Sequence, residues 1–385
     1  MDTIAKNQGR IRYIDLARAI AIISITFNHA VNRSFAIYQG TAAEMHAFPF
    51  WLSALKTALY IFSRVGVPIF LMITGALLLP RDYEGGKWKR FMKHNWLQLL
   101  ITTEIWLVIM YWYLQLAPNS ILHTRGIVQC LIHFVCTLLF IEPVSMASMW
   151  YMYMILCVYL LIPLFSLGIK RLSPAFFLIP ICIAVVSKFV LTDLNMLYDG
   201  LKGMFSPLSM ELSSSNLFSY YAVFVLAGFF IDKGLLSRIK TVFIWIGTLV
   251  TFVVTCGFQY WLFSLKLDQI VSYSNFLMLA WSVFLFELLR RTKLKEGLLS
   301  RCTSGLAEIS FGIYFVHICI MDGLEVVMNR YLSHIQYLPR FIILELVSFF
   351  GAILIIQVLR RSAILAKYLF GIKPVKPQPV LKESC

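Results

Sequence analysis

Ten apolar stretches divide this chain, each near the roughly 20 residues a helix needs to cross a bilayer, and most are separated by polar or basic loops. They fall at about 13 to 32, 60 to 79, 95 to 117, 149 to 168, 174 to 192, 217 to 232, 239 to 262, 270 to 289, 305 to 327 and 340 to 360. Inside lipid a single segment can satisfy its backbone polar groups only as a helix, so the pattern predicts an all-α integral-membrane bundle of about ten transmembrane helices. Two further stretches, 48 to 62 and 126 to 141, are apolar but interrupted, and read as re-entrant or interfacial helices or as extensions of their neighbours. Composition agrees: 59% of the 385 residues are hydrophobic and 14% charged, whereas a soluble domain is about half apolar and a quarter charged.

The formal charge of +15 is distributed along the chain in a regular way. Lysine and arginine collect at Lys6 to Arg12, at Arg81 to Lys93, at Lys170 and Arg171, at Lys233 to Lys240, at Arg290 to Arg301, and beyond Arg360. The positive-inside rule then sets both termini in the cytoplasm. The chain divides into a short N-terminus (1–12), a membrane domain (13–361) and a cytoplasmic tail (362–385) expected to be disordered. Segments 34 to 47, 118 to 148 and 193 to 216 are the expected extracytoplasmic loops. Basic residues here face lipid headgroups, and no basic patch interleaved with aromatics points to nucleic acid. None of the eight cysteines has zinc-ligand spacing, so no metal and no disulfide framework is expected.

Several charged and polar residues lie within the apolar stretches. The first stretch carries Asp15, Arg18 and His29. Asp15 and Arg18 are three apart and can pair, while Arg18 and His29 are eleven apart, about three turns with ~20° of drift. They share one stripe, roughly 16 Å apart along the axis, which suggests a helix facing a polar cavity. Arg64 in the second stretch is expected at a depth similar to His29. His317, with Asp322 beyond it, and Trp150 with Glu142 approach the same level. Each also has a plainer reading: His317 as a bond between helices, Arg64 snorkelling to headgroups, Trp150 and Tyr151 in the interfacial aromatic belt. Lys89, Arg90 and Lys93 recur at helical spacing before the third stretch. They read equally as ordinary positive-inside charge and as a clamp for an anionic cofactor.

Taken together these residues resemble the acyltransferase-3 family of integral-membrane acyltransferases. The resemblance rests on Arg18 and His29 with Asp15 ahead of them, and on Ser63, Arg64, Pro68, Phe70 and Gly75 in SRVGVPIFLMITG. It continues with Arg90 and Lys93, where the second position is more often arginine in the family. It extends through Trp150, Tyr151, Tyr159 and Pro163, then Phe224 and Gly228, and ends with Ser310, Gly312, Tyr314 and His317.

The resemblance implies a bacterial inner-membrane enzyme moving an acyl group, most often acetyl, from acetyl-CoA to a hydroxyl of a surface glycan or its lipid-linked precursor. On that basis Lys89, Arg90 and Lys93 would hold the phosphates of the acyl-CoA, and Arg18 would steady the pantetheine arm or pair with Asp15. His29 would act as general base or as a covalent acyl relay, Arg64 would stabilise the oxyanion, and His317 would position the acceptor. Trp150 and Tyr151 could stack on sugar rings. A transporter or flippase of a glycan or small anionic solute, or a noncatalytic scaffold, is the competing reading.

Overall fold

The computed structural model describes residues 12–35, 48–116, 120–141, 149–201, 220–265, 267, 269–372 and 374. The regular elements among them are all helices: α1 (Arg12–Phe35), α2 (Phe50–Arg64), α3 (Gly66–Leu78), α4 (Lys87–Leu114), a short turn at Ile121–Arg125 and α5 (Ile127–Leu138). After α6 (Trp150–Arg171), α7 runs from Pro174–Val185 through a π-helical turn at Val186–Val190 into Leu191–Gly200. The remainder is α8 (Tyr220–Asp232), α9 (Thr241–Ser264), α10 (Phe276–Arg291), α11 (Leu298–Tyr331), α12 (Tyr337–Leu359) and α13 (Ala363–Phe370).

The protein is an all-helical membrane bundle, and eight of its elements are long and apolar enough to span. Among them, α2 and α3 count as a single 29-residue crossing. The stretch at 48 to 62 is therefore the first half of the second span. The stretch at 126 to 141 contains only the 12-residue α5. Of the span expected at 217 to 232, the described residues form α8, 13 residues from Tyr220, and the span expected at 270 to 289 yields the shorter α10, of 16 residues. The loop expected from 193 begins as helix, which continues to Gly200. Residues 363–370, assigned with the tail, form α13, whose Phe370 is buried beside Trp106 of α4 at a ring distance of 6.3 Å. The Pro-rich segment beyond 374, the loop residues 36–47 and 202–219, and Glu142 lie outside the described residues.

The break between α2 and α3 follows from Pro68. Proline has no N–H for the carbonyl of Arg64 and its ring crowds that carbonyl, so the helix is interrupted at Val65. The freed groups are met from α1. The Ser24 hydroxyl accepts from the Gly66 N–H at 2.8 Å and points at the carbonyls of Phe62 and Ser63, 3.1 and 3.0 Å away. A side chain on Gly66 would stand 2.6 Å from the Ala21 carbonyl oxygen, so α1 can approach the break only because residue 66 is glycine. The same close approach recurs between α3 and α8. A Cβ on Gly75 would lie 1.8 Å from the Val225 carbonyl oxygen, and one on Gly228 would lie 2.1 Å from that of Met72. In lipid, such backbone contact takes over much of what the hydrophobic effect supplies in water.

Polar clamps fix the rest. At one end, which we call the basic end, Glu287 is wholly buried and pairs with Arg290 at 2.8 Å and Arg291 at 2.5 Å. Arg291 also donates to the Leu236 and Ile239 carbonyls, and Tyr13 bonds Asp232. Toward the other end, Arg33 of α1 bridges Asp322 and Glu325 of α11. Among the helices long enough to span, α1, α2 with α3, and α11 are the most enclosed, whereas α9 turns most of its surface outward.

Candidate active site

Two cavities lie one beyond the other along the inner face of α1. The cavity farther from the basic end has a volume of about 170 Å³ and is lined by Asn28, His29 and Asn32 of α1, Ser63 and Arg64 from the end of α2, Trp150 and Tyr151 of α6, Tyr273 and Tyr314. The expected stripe on α1 is thus present. Arg18 lines the second cavity, of about 400 Å³, and His29 lines the first. Asp15 at the start of the stripe is buried and accepts a hydrogen bond from Ser304 of α11 at 2.9 Å.

His29 and His317 meet. Their ring centroids are 5.3 Å apart, with the planes tilted by 50°. His317 is fully buried and its Nδ1 lies 2.7 Å from the Ile313 carbonyl oxygen, which can only accept. Nδ1 therefore carries the proton, and the lone pair sits on Nε2, which has no hydrogen-bond partner among the described residues. His317 does not line the 170 Å³ cavity. It stands behind His29, in contact with that imidazole and away from the cavity in which an acceptor would be positioned.

Arg64 does not snorkel. Only 8% of it is exposed, and its guanidinium lies over the Tyr273 ring at 4.4 Å and near the Tyr60 ring at 5.6 Å. Its position follows from the break at Val65, which ends α2 at the cavity. Asn28 donates to the Ser63 hydroxyl at 3.1 Å, and Ser63 donates to the Tyr60 carbonyl at 2.6 Å, tying this end of α2 to α1. Trp150 stacks between Tyr221 and Tyr273 at 6.0 and 5.7 Å.

Tyr273 was not visible as a site residue, because 270 to 275 reads as the start of a span. That segment is not helical. Such backbone persists at membrane depth only where protein encloses it or a cavity borders it. Here the buried Gln259 side chain holds it, accepting from the Val271 N–H at 2.6 Å and donating to the Gln269 carbonyl at 3.0 Å, and Tyr60 donates to the Val271 carbonyl at 3.0 Å.

At the basic end a cleft of about 490 Å³ is lined by Arg81, Asp82, Lys87, Arg90, His94 and Asn95. His94 and Asn95 also line the 400 Å³ cavity, so the two spaces share a wall. Of the three basic residues singled out in the sequence, the structure brings Arg90 to the cleft. Lys89 and Lys93 are exposed and line neither space, and the Lys89 ammonium lies 5.8 Å from the Trp88 ring. His94 and Asn95 carried no sequence signal. They fall in a π-helical turn at Met92–Trp96, whose additional residue per turn shifts the faces read from ordinary helical spacing. Asp82 bonds Lys87 and lies 3.5 Å from Lys170. The hydrogen bond from Lys87 is the main reason its carboxyl is held down to about 2.

The family model described as an acyltransferase domain, acyltransferase-3, matches residues 11–357. The chain belongs to the acyltransferase-3 family. No curated protein and no solved structure matches it. The matched region of this membrane acyltransferase contains every residue of both cavities except Phe370, Gly371 and Ile372, which close one side of the larger one. Several of its motif residues are explained by packing. Ser63 and Pro68 shape the break at Val65, while Gly75 and Gly228 let α3 and α8 touch.

Proposed function

We propose that this protein transfers an acetyl group from acetyl-CoA to a hydroxyl of a cell-surface glycan or its lipid-linked precursor, in a bacterial cytoplasmic membrane with the basic end in the cytoplasm. The observation that carries this reading is one small cavity lined by an imidazole and a buried guanidinium, set against a larger cavity whose far wall belongs to a basic cleft. Acyl transfer needs those groups: a base for the hydroxyl proton, and a fixed cation where the carbonyl oxygen becomes negative.

In this reading the phosphates of acetyl-CoA bind at Arg81, Lys87 and Arg90, guanidinium and ammonium groups that suit phosphate oxygens. Lys89 and Lys93 add only long-range charge. The pantetheine arm occupies the cavity that Arg18 lines, bringing the thioester toward His29. The acceptor hydroxyl attacks the thioester carbonyl as His29 takes its proton. A C–O bond forms, Arg64 stabilises the oxyanion, the C–S bond breaks, and the proton passes from His29 to the departing thiolate. The His317 ring, buried against His29, holds that imidazole in place for the transfer. Trp150, Tyr151 and Tyr273 offer ring faces on which a sugar can stack.

The purified protein should release the thiol of acetyl-CoA in the presence of acceptor glycan, and His29→Ala should not. A transporter of glycans or small anions would use a similar string of cavities. It would move solute without consuming the thioester, so unchanged acetyl-CoA in the presence of demonstrated transport would overturn the enzyme reading.

A further inference from the structure

The two cavities along α1 share three side chains, Ile25, Tyr151 and Tyr314. Each comes from a different helix, and each sits at the corresponding place in its own helical stripe. On α1, Arg18 lines the larger cavity, Ile25 lines both and His29 lines the smaller, at spacings of seven and four. On α6, running the other way, Trp150 lines the smaller cavity, Tyr151 both, and Ile155 and Tyr159 the larger. On α11, Ala307 and Phe311 line the larger cavity, and Tyr314 both. The two tyrosine rings are 5.7 Å apart, and Phe70 backs Tyr151 at 6.5 Å. All three residues are mostly enclosed, and Ile25 is held from behind by the close approach of α1 to Gly66.

We propose that Ile25, Tyr151 and Tyr314 form a waist that sets the length of acyl group this enzyme accepts, admitting short unbranched chains to His29 and rejecting longer ones. The inference rests on the reading of the larger cavity as the acyl-CoA arm's site. An acyl group that reaches His29 from the cleft passes between these side chains. It must then share about 170 Å³ with the acceptor hydroxyl, well below the roughly 300 Å³ at which ligand pockets begin. Chain length is read by rigid rings and a branched side chain, so each added methylene meets a wall. A single methylene in such an apolar site is worth at least about tenfold in selectivity.

The test uses the full-length protein in lipid nanodiscs and non-hydrolysable thioether analogues of acetyl-, butyryl- and octanoyl-CoA, with CoA itself as reference. Binding is read by calorimetry, which needs no acceptor and no turnover. Wild type should bind CoA and the acetyl analogue comparably and lose about tenfold or more on going to butyryl. Ile25→Ala should recover most of that loss, read as the ratio of butyryl-analogue to CoA affinity within the same variant. Tyr314→Leu asks the same question from another helix, by the same ratio, and serves if Ile25→Ala does not accumulate. Equal chain-length dependence in wild type and in a variant that binds CoA normally would overturn the waist and leave the proposed enzyme standing. Wild type that binds no CoA would overturn both.

Discussion

His29 and His317 face each other at 5.3 Å across the α1–α11 contact, one imidazole lining a cavity and the other buried behind it. The contact is braced on both sides, by Asp15 with Ser304 toward the basic end and by Arg33 with Asp322 and Glu325 toward the other. A base held in place by a fixed neighbour differs from a lone imidazole. Removing the neighbour should slow the reaction without removing it.

His317→Ala should lower kcat while leaving KM for acetyl-CoA within a factor of two or so, because His317 lines neither the cleft nor the cavities. His29→Ala should cost at least about 10² in kcat. The thiol-release rate of each variant at matched membrane levels checks the order. Equal losses would mean that the two imidazoles act as one unit.

Arg64 should not be replaceable by lysine. Its flat guanidinium rests on the Tyr273 ring at 4.4 Å while its N–H groups lie in the plane. An ammonium keeps the charge but loses the planar fork. Both Arg64→Lys and Arg64→Ala should reduce kcat by roughly 10² to 10³, the cost of losing an oxyanion donor. Near-complete rescue by lysine would show that only charge is needed.

Asp82 partly neutralises the cleft in which the phosphates are proposed to bind. Because its pKa is depressed to about 2 by Lys87, its pairing energy is fully present above the ordinary carboxylate range and is lost only as pH falls through that low value. It is therefore charged at every pH at which the enzyme works. Asp82→Asn should lower KM for acetyl-CoA a few-fold from pH 5 to 8, more strongly at low salt. An unchanged KM at low ionic strength would move the phosphates elsewhere.

Gly75→Ala should destabilise the protein through contact of backbone with backbone, since the new Cβ would sit 1.8 Å from the Val225 oxygen. Overpacking of this kind costs about 1–3 kcal/mol. The variant should unfold at lower temperature in detergent, and whatever fraction stays folded should keep the wild-type KM. A stable variant with lost activity would give Gly75 a role in the chemistry instead.

The residues singled out in the sequence that line the cavities and the cleft, Arg18, His29, Arg64 and Arg90, share one property: a charged or ionisable group is conspicuous in or beside an apolar stretch, and helical spacing relates it to its neighbours on the same helix. That reading also singled out His317, but its contact with His29 was not legible, because which face of α11 meets α1 is not written in either helix. Periodicity along one helix likewise carries no register between helices, so the meeting of Ile25, Tyr151 and Tyr314 was not legible. Local exceptions hid the rest. A π-helical turn moved His94 and Asn95 to the cleft, and an unwound segment held by Gln259 carried Tyr273 into the cavity. Both departures from regular helix border the spaces where we locate the chemistry, as expected where function displaces regular structure.

We propose that His29 drives transfer of an acetyl group to a surface glycan. The most direct measurement is the O-acetyl content of surface polysaccharide, by NMR, in a strain lacking the protein and complemented with either wild type or His29→Ala at matched membrane levels. The acetyl signal should be lost without the protein, return with wild type and stay absent with His29→Ala. Full restoration by His29→Ala would contradict it.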